Sequence, residues 1–199
     1  MALQAFNAAS NAGLPSAITS NRKDYRFRIE HAQVLSPSQF SRFNELGVIA
    51  SVQPNHLLTD MNWVDYRIGP ERTKHAYAWR EFLDANVPLC FGTDYPVEPL
   101  TPFRGFYAAV TRRNESETKE NHTEQKLTID EAIAAYTSGA AFAEFAEGDK
   151  GLLLPGMLAD FVVLDRDITS AQSHDVLGTH VLRTVVGGKT VYEDIPTSR

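Results

Sequence analysis

The sequence predicts an α/β fold made of parallel strand–helix units, followed by a small β-rich segment. In residues 1–150, short apolar runs alternate with amphipathic helical patterns, which is the order of parallel βα units. After Gly151 the chain becomes rich in strand formers, and Gly187-Gly188 fits a two-residue hairpin turn. We therefore divide the chain into residues 1–150, an α/β part, and residues 151–199, a β-rich module.

Three strands are expected in the α/β part. Tyr25, Phe27 and Ile29 alternate with charged residues, which is the period of a strand. Residues 48–52 and 87–92 are apolar runs typical of parallel strands that are buried on both faces. Three strands are too few for a closed eight-stranded barrel, which typically takes about 250 residues.

Helices are expected before, between and after these strands, where apolar residues recur at helical spacing. Pro37 follows Ser36 at an expected helix start, and Thr128-Ile129-Asp130-Glu131 is a capping box. A loop is expected between His56 and Arg72. The predicted helices cover residues 3–12, 37–46, 72–85, 104–112, 128–138 and the Ala-rich stretch to 145.

Composition excludes some classes of partner. The formal net charge is −6 and no basic stripe is present, which argues against nucleic acid and anionic membranes. No stretch has the pattern of a signal peptide or membrane span. The single cysteine, Cys90, lies in an apolar run, which favours a small core residue over a nucleophile. It also favours a reducing compartment, so we expect a cytoplasmic protein.

Candidate metal ligands follow each predicted strand. The first strand leads into His31, the second into Gln53-Pro54-Asn55-His56, and the third into Asp94. In parallel α/β folds the carboxyl ends of the strands meet at one edge, where the chemistry collects. Each residue alone has a structural alternative, a hydrogen-bonded histidine or a turn-capping aspartate. Together, two imidazoles and a carboxylate suit zinc or iron.

These same segments resemble the C-terminal half of family 3 amidohydrolases, also called the YtcJ-like family. Arg-Ile-Glu-His-Ala-Gln, Ser-Val-Gln-Pro-Asn-His and Gly-Thr-Asp-Tyr-Pro are the segments that carry the predicted ligands. The resemblance extends over nearly the whole chain. The matching segments are residues 28–33, 51–56, 69–72, 77–80, 92–96, 108–112, 127–132, 136–141, 151, 155–165 and 185–192.

The resemblance implies a fold and a chemistry. The fold is a partial TIM barrel, about strands five to eight with their helices, plus a C-terminal segment of the family's β-sandwich. His31 would follow strand five, His56 strand six and Asp94 strand eight. His31, His56 and Asp94 would bind a divalent metal, with zinc expected and iron or manganese as alternatives. Asp94 would take a proton from the metal-activated water and pass it to the leaving nitrogen.

The resemblance also implies a substrate and a partner. The substrate would be a small amide or cyclic amide whose C–N bond is hydrolysed. A half-barrel would leave an open strand edge, so we also expect a homo-oligomer. Arg72 and Arg80 are candidates for holding a substrate carboxylate, with exposed helix arginines as the alternative. Gln53 is a third candidate substrate contact.

One departure from the family leaves the function open. The family's His-x-His pair and its bridging carboxylate or modified lysine have no counterpart in this sequence, so we expect the C-terminal portion of a hydrolase. The first alternative is a non-catalytic half-barrel that associates with itself through open strand edges. The second is a binding module that keeps a metal as a structural staple.

Overall fold

Two three-stranded sheets organise the protein, one parallel and one antiparallel. The computed structural model describes residues 1–12 and 24–194. The parallel sheet has the order β1-β2-β3. The antiparallel sheet has the order β4-β5-β6. The strands are β1 (Arg28–Glu30), β2 (Ile49–Val52), β3 (Leu89–Phe91), β4 (Phe161–Leu164), β5 (Val181–Val186) and β6 (Lys189–Glu193).

The central strand of the parallel sheet is apolar on both faces, as its sequence predicts. Ile49 and Ala50 in β2 are fully buried, and Ala50 lies opposite Ile29 of β1 and Leu89 of β3. Cys90 of β3 is also buried, and burial raises the pKa of its thiol. These observations agree with a core role for Cys90.

The family resemblance implies about four barrel strands, strands five to eight, whereas the parallel sheet of the described residues has three. Strands six and eight would have a strand between them, yet β3 is hydrogen-bonded directly to β2. Within the described ranges, the segment between β2 and β3 contributes helices and one isolated bridge, Val34 to Ala76, instead of a strand. The protein therefore has the α/β architecture that was predicted, with three parallel strands in the described part.

The described residues form nine α-helices. The start at Ser36-Pro37 and the capping box at Thr128 are confirmed. Two expectations between β2 and β3 were wrong, because short helices replace the predicted loop and the predicted helix 72–85 is broken. The helices are α1 (Ala2–Asn11), α2 (Pro37–Leu46), α3 (Asn55–Asp60), α4 (Val64–Ile68), α5 (Pro70–Thr73), α6 (Trp79–Asp84), α7 (Phe103–Thr111), α8 (Ile129–Tyr136) and α9 (Ser138–Ala143).

Aromatic contacts join the helices to the parallel sheet. Phe82 of α6 makes edge-on contacts with Phe40 and Phe43 of α2, with ring centroids 4.9 and 5.2 Å apart. Trp79, at the start of α6, packs edge-on against Phe91 of β3 at 6.0 Å. Such pairs stabilise a core by about 0.5–1.5 kcal/mol beyond the area they bury. The contacts pack α2 against α6, and α6 against β3.

The predicted hairpin at Gly187-Gly188 is confirmed. Both glycines have positive φ, 56° and 75°, as a tight primed turn requires, and Val186 pairs with Lys189 across the turn. The division of the chain at residue 150 stays a prediction, and residues 195–199 of the predicted module lie outside the described residues. None of the described helices is both long and apolar enough to cross a bilayer.

Candidate metal centre

The three predicted ligands meet at one edge of the parallel sheet. His31 directly follows β1, His56 lies in the first turn of α3 after β2, and Asp94 follows β3. One potential ligand atom from each of the three lies within 4.8 Å of those from the other two. The sequence prediction that parallel strand ends bring these residues together agrees with this geometry.

Backbone hydrogen bonds tie the two outer ligand turns to the central strand. The His31 N–H donates to the Ser51 carbonyl at 2.8 Å, and the Gly92 N–H donates to the Val52 carbonyl at 3.1 Å. His31 and Asp94 both adopt left-handed backbone angles, with φ of 67° and 61°. Non-glycine residues rarely adopt this conformation, and it tends to occur at functional sites. At both residues this conformation turns the backbone sharply just after the strand.

The donor atoms converge in a way that fits a divalent cation. His56 Nε2 lies 3.4 Å from Asp94 Oδ2, and the two side chains are 12% and 34% exposed. Nε2 is itself buried and has no hydrogen-bond partner in the described part of the protein, although buried polar atoms are normally satisfied. The imidazole rings of His31 and His56 lie 5.6 Å apart. A metal ion that accepts nitrogen and oxygen ligands would satisfy the orphan nitrogen.

Two glutamines contact the outer nitrogens of these histidines. His31 Nδ1 lies 2.9 Å from Gln53 Oε1, and Gln33 Nε2 lies 3.0 Å from His56 Nδ1. Sequence reasoning treated Gln53 as a substrate contact and missed Gln33 altogether. The signal was present, since Gln33 follows His31 by two residues and Gln53 precedes His56 by three. That spacing places each glutamine at the same sheet edge as the histidines.

The two candidate arginines lie elsewhere. Arg80 of α6 forms a two-pronged ion pair with Glu131, at 2.8 and 2.5 Å, and also donates to the Lys126 carbonyl. Arg72 is exposed on α5. In the part of the chain that the structure describes, neither guanidinium is hydrogen-bonded to His31, His56 or Asp94. Their roles in substrate binding stay predictions.

Comparison with known proteins identifies the family. Residues 1–192 match the model of the Amidohydrolase family. The chain belongs to the amidohydrolase family. Its curated relatives include Protein LONG AFTER FAR-RED 3 of Arabidopsis thaliana, 39% identical over 180 residues, which covers 88% of this chain and 30% of the relative. The putative amidohydrolase YtcJ of Bacillus subtilis is 34% identical, over 83% of this chain and 32% of that protein.

A third relative and two solved structures extend the comparison. The N-substituted formamide deformylase of Arthrobacter pascens is 28% identical, over 85% of this chain and 31% of that protein. An uncharacterized metal-dependent hydrolase from Pyrococcus horikoshii OT3 superposes with a TM-score of 0.73 at 33% identity, over 86% of this chain and 32% of that one. The zinc complex of atrazine chlorohydrolase TrzN from Arthrobacter aurescens TC1 shares the fold, with a TM-score of 0.57 at 21% identity, over 83% of this chain and 36% of that one.

The amidohydrolase comparisons confirm the predicted YtcJ-like resemblance and the α/β fold. They also fix the scale of the match, since this chain spans about a third of the length of each of these relatives and structures.

Proposed function

We propose that this chain supplies part of the metal site of a hydrolase that cleaves C–N bonds in non-peptide amides or cyclic amides. The observation that carries the proposal is the convergence of His31, His56 and Asp94 around a buried imidazole nitrogen that has no hydrogen-bond partner among the described residues. The name of one relative, N-substituted formamide deformylase, supports cleavage of a C–N bond. The zinc complex of TrzN, which shares this fold, supports zinc, with iron and manganese as alternatives.

The residues present define what the site can do. His31, His56 and Asp94 would hold a divalent metal, which would lower the pKa of water and polarise the carbonyl that is attacked. Asp94 is the proton carrier, because its side chain is 34% exposed and its Oδ2 lies beside His56 Nε2. Its carboxylate accepts a proton from water and then delivers that proton to the leaving nitrogen.

Substrate contacts are proposed for Gln53 and the two arginines. The Gln53 Oε1 is occupied by His31, which leaves its amide N–H groups to donate to a substrate carbonyl. Arg72 is exposed and can bind a substrate carboxylate from the surface. Arg80 can do so only by exchanging Glu131 for the substrate. We expect a small-molecule substrate and a cytoplasmic location.

Metal content per chain tests the proposal. Protein purified without a metal-affinity column should contain about one zinc or iron per chain by elemental analysis, as expected for a site with nitrogen and oxygen ligands. His31→Ala should lose this metal. The matched control is His174→Ala, because His174 is an exposed histidine that pairs with Glu117. If the wild type and His174→Ala contain metal and His31→Ala does not, a screen of amide substrates is justified.

Two results would contradict the proposal. Absence of metal from the wild-type chain, even after zinc is added, would show that the three ligands do not form a site by themselves. Equal metal in the wild type and His31→Ala would place the metal elsewhere.

A second candidate is a non-catalytic chain that associates with itself. The observation in its favour is the apolar surface of the antiparallel sheet, where Val162, Val186 and Val191 are more than half exposed. Exposed apolar patches and open strand edges favour pairing. A monomeric mass in solution would remove this candidate.

A further inference from the structure

We propose that Glu98 is a positioning residue that fixes the Asp94 loop against the helix of His56, and so holds two of the three proposed ligands in place relative to each other. The Asp94 loop is residues 92–102, between β3 and α7. The inference rests on the proposed metal site and deepens it, because Glu98 acts through the segments that carry the ligands and is not a ligand itself.

Glu98 carries a carboxylate that the fold buries and supplies with donors. Its side chain is 8% exposed, and burial of a charge is costly unless the charge is paired and hydrogen-bonded. Oε1 accepts from the Thr59 hydroxyl at 2.5 Å, and Oε2 accepts from the Arg104 guanidinium at 2.9 Å. Thr59 belongs to α3 and Arg104 to α7. One side chain of the Asp94 loop is therefore bonded to two helices.

The bond between Glu98 and Thr59 lies close to both ligands along the chain. On the helix side, Thr59 follows His56 within the same short helix, α3. On the loop side, the Val97 N–H donates to the Asp94 carbonyl at 2.8 Å, which closes a turn directly before Glu98. The side chain of Glu98 therefore joins the turn that begins at Asp94 to the helix that carries His56.

A second contact joins the same loop and helix. Asn55, the first residue of α3, is fully buried, and its Nδ2 donates to the Pro99 carbonyl at 3.4 Å. A Cβ added at Gly105 of α7 would lie 2.8 Å from Asn55 Oδ1, so the glycine lets α7 approach α3 closely. The Asp94 loop, α3 and α7 form one packed unit, and Glu98 is bonded to both of its helices.

The separation of His56 and Asp94 is what this packed unit controls. His56 Nε2 and Asp94 Oδ2 lie 3.4 Å apart, and a binding site works only when its groups stay within about 0.5 Å of the productive geometry. Asp94 lies on a loop, and loops hold such groups less precisely than helices and strands do. Glu98 ties this loop to α3. Loss of the tie should therefore widen the range of separations and weaken metal binding, although every ligand is still present.

Amide hydrogen exchange of the metal-free protein, followed by mass spectrometry, is the first measurement. Glu98→Ala removes both bonds, so exchange in residues 55–60 and 92–102 should become at least about tenfold faster. Glu98→Gln should preserve slow exchange, because its amide can accept from Arg104 and donate to the Thr59 hydroxyl. Glu147→Ala is the matched control and should leave both segments unchanged. Glu147 pairs with Arg26, whose side chain is 8% exposed and which precedes β1 at the end opposite to His31.

Zinc affinity is the second measurement, by competition with a chromophoric chelator. Loss of a group that orients a metal ligand typically lowers metal affinity about ten- to hundred-fold. We expect a loss of this size in Glu98→Ala, with Glu98→Gln and Glu147→Ala close to the wild type. Thr59→Val keeps the shape of the side chain and removes the hydroxyl that donates to Glu98. It should lower the zinc affinity in the same direction, and it keeps the test open if Glu98→Ala fails to fold.

The outcomes separate this inference from the proposed function. If the wild type binds zinc and Glu98→Ala keeps wild-type exchange or wild-type zinc affinity, the inference is wrong and the metal site stands. Equal losses of zinc affinity in Glu98→Ala and Glu147→Ala would also overturn it, because they would reflect general destabilisation. If the wild type binds no zinc but Glu98→Ala speeds exchange as expected, Glu98 positions the Asp94 loop and the proposed metal site is wrong.

Discussion

At the residue scale, Glu131 shows how one side chain serves a helix cap and a long-range contact together. Its Oε2 accepts from the Thr128 N–H at 2.7 Å in the capping box, and its carboxylate pairs with Arg80 of α6. The Arg80 hydrogen bond, with the help of the cap, lowers the pKa of Glu131 to about 2, from its ordinary value of 4.5. The pair joins α6 to the start of α8.

The lowered pKa of Glu131 predicts a loss of stability in acid. A group whose pKa is lower in the folded than in the unfolded protein stabilises the fold at pH values above its unfolded pKa. That contribution declines as the pH falls from about 4.5 towards 2. We expect the free energy of unfolding, from urea titrations followed by circular dichroism, to fall over this range. The fall should be smaller in Glu131→Gln.

Glu124→Gln is the matched control for Glu131→Gln, since Glu124 is an exposed glutamate that lies beside His122. Identical pH profiles for the wild type, Glu124→Gln and Glu131→Gln would show that the Arg80 pair does not couple folding to protons.

The residue scale is also where sequence reasoning was strongest and weakest. His31, His56 and Asp94 were grouped correctly because strand ends of a parallel sheet share an edge. The ion pair of Arg80 with Glu131 was not expected, because the two residues lie 51 positions apart and no local pattern reveals such a pair. The contact of Gln33 with His56 was missed because the two residues follow different strands.

At the element scale, tertiary contacts override local helix propensity between β2 and β3. The sequence predicts one helix over 72–85, but Tyr77 has a φ of 52° and separates α5 from α6. Its N–H is taken by Gln33 and its carbonyl by Arg112. These partners are distant in sequence, so the break could not be predicted from propensity, which is a weak prior in a packed protein.

Close packing of α9 on β3 predicts an intolerant glycine. A Cβ added at Gly139 would lie 2.4 Å from the Leu89 carbonyl oxygen, a backbone atom that cannot move aside cheaply. Overpacking of this kind typically costs about 1–3 kcal/mol. We expect Gly139→Ala to lower the free energy of unfolding by about that amount in urea denaturation.

Gly148→Ala is the control, because no atom lies within 4 Å of a Cβ added there. Equal stabilities for the two alanine variants would mean that α9 is free to move away from β3.

At the scale of the whole molecule, the antiparallel sheet exposes apolar side chains to solvent. All five residues of β6 are exposed, and β6 is an edge strand of its sheet. Val191 and Tyr192 in β6 are 62% and 50% exposed. An edge strand with exposed apolar side chains offers unpaired N–H and C=O groups to another strand. The occupant that we propose is β6 of a second copy, because an antiparallel pair of identical strands closes a two-fold dimer.

Sedimentation velocity tests this self-association. We expect the wild-type chain to show a concentration-dependent shift from monomer to dimer. Val191→Lys should shift the equilibrium towards monomer by at least tenfold in the dissociation constant, because a lysine on an edge strand opposes pairing. Leu100→Lys is the control, since Leu100 is 67% exposed in the loop after β3, and it should dimerise as the wild type does. A wild-type chain that stays monomeric at every concentration would exclude the dimer, whereas a dimer that Val191→Lys leaves intact would place the interface on another surface.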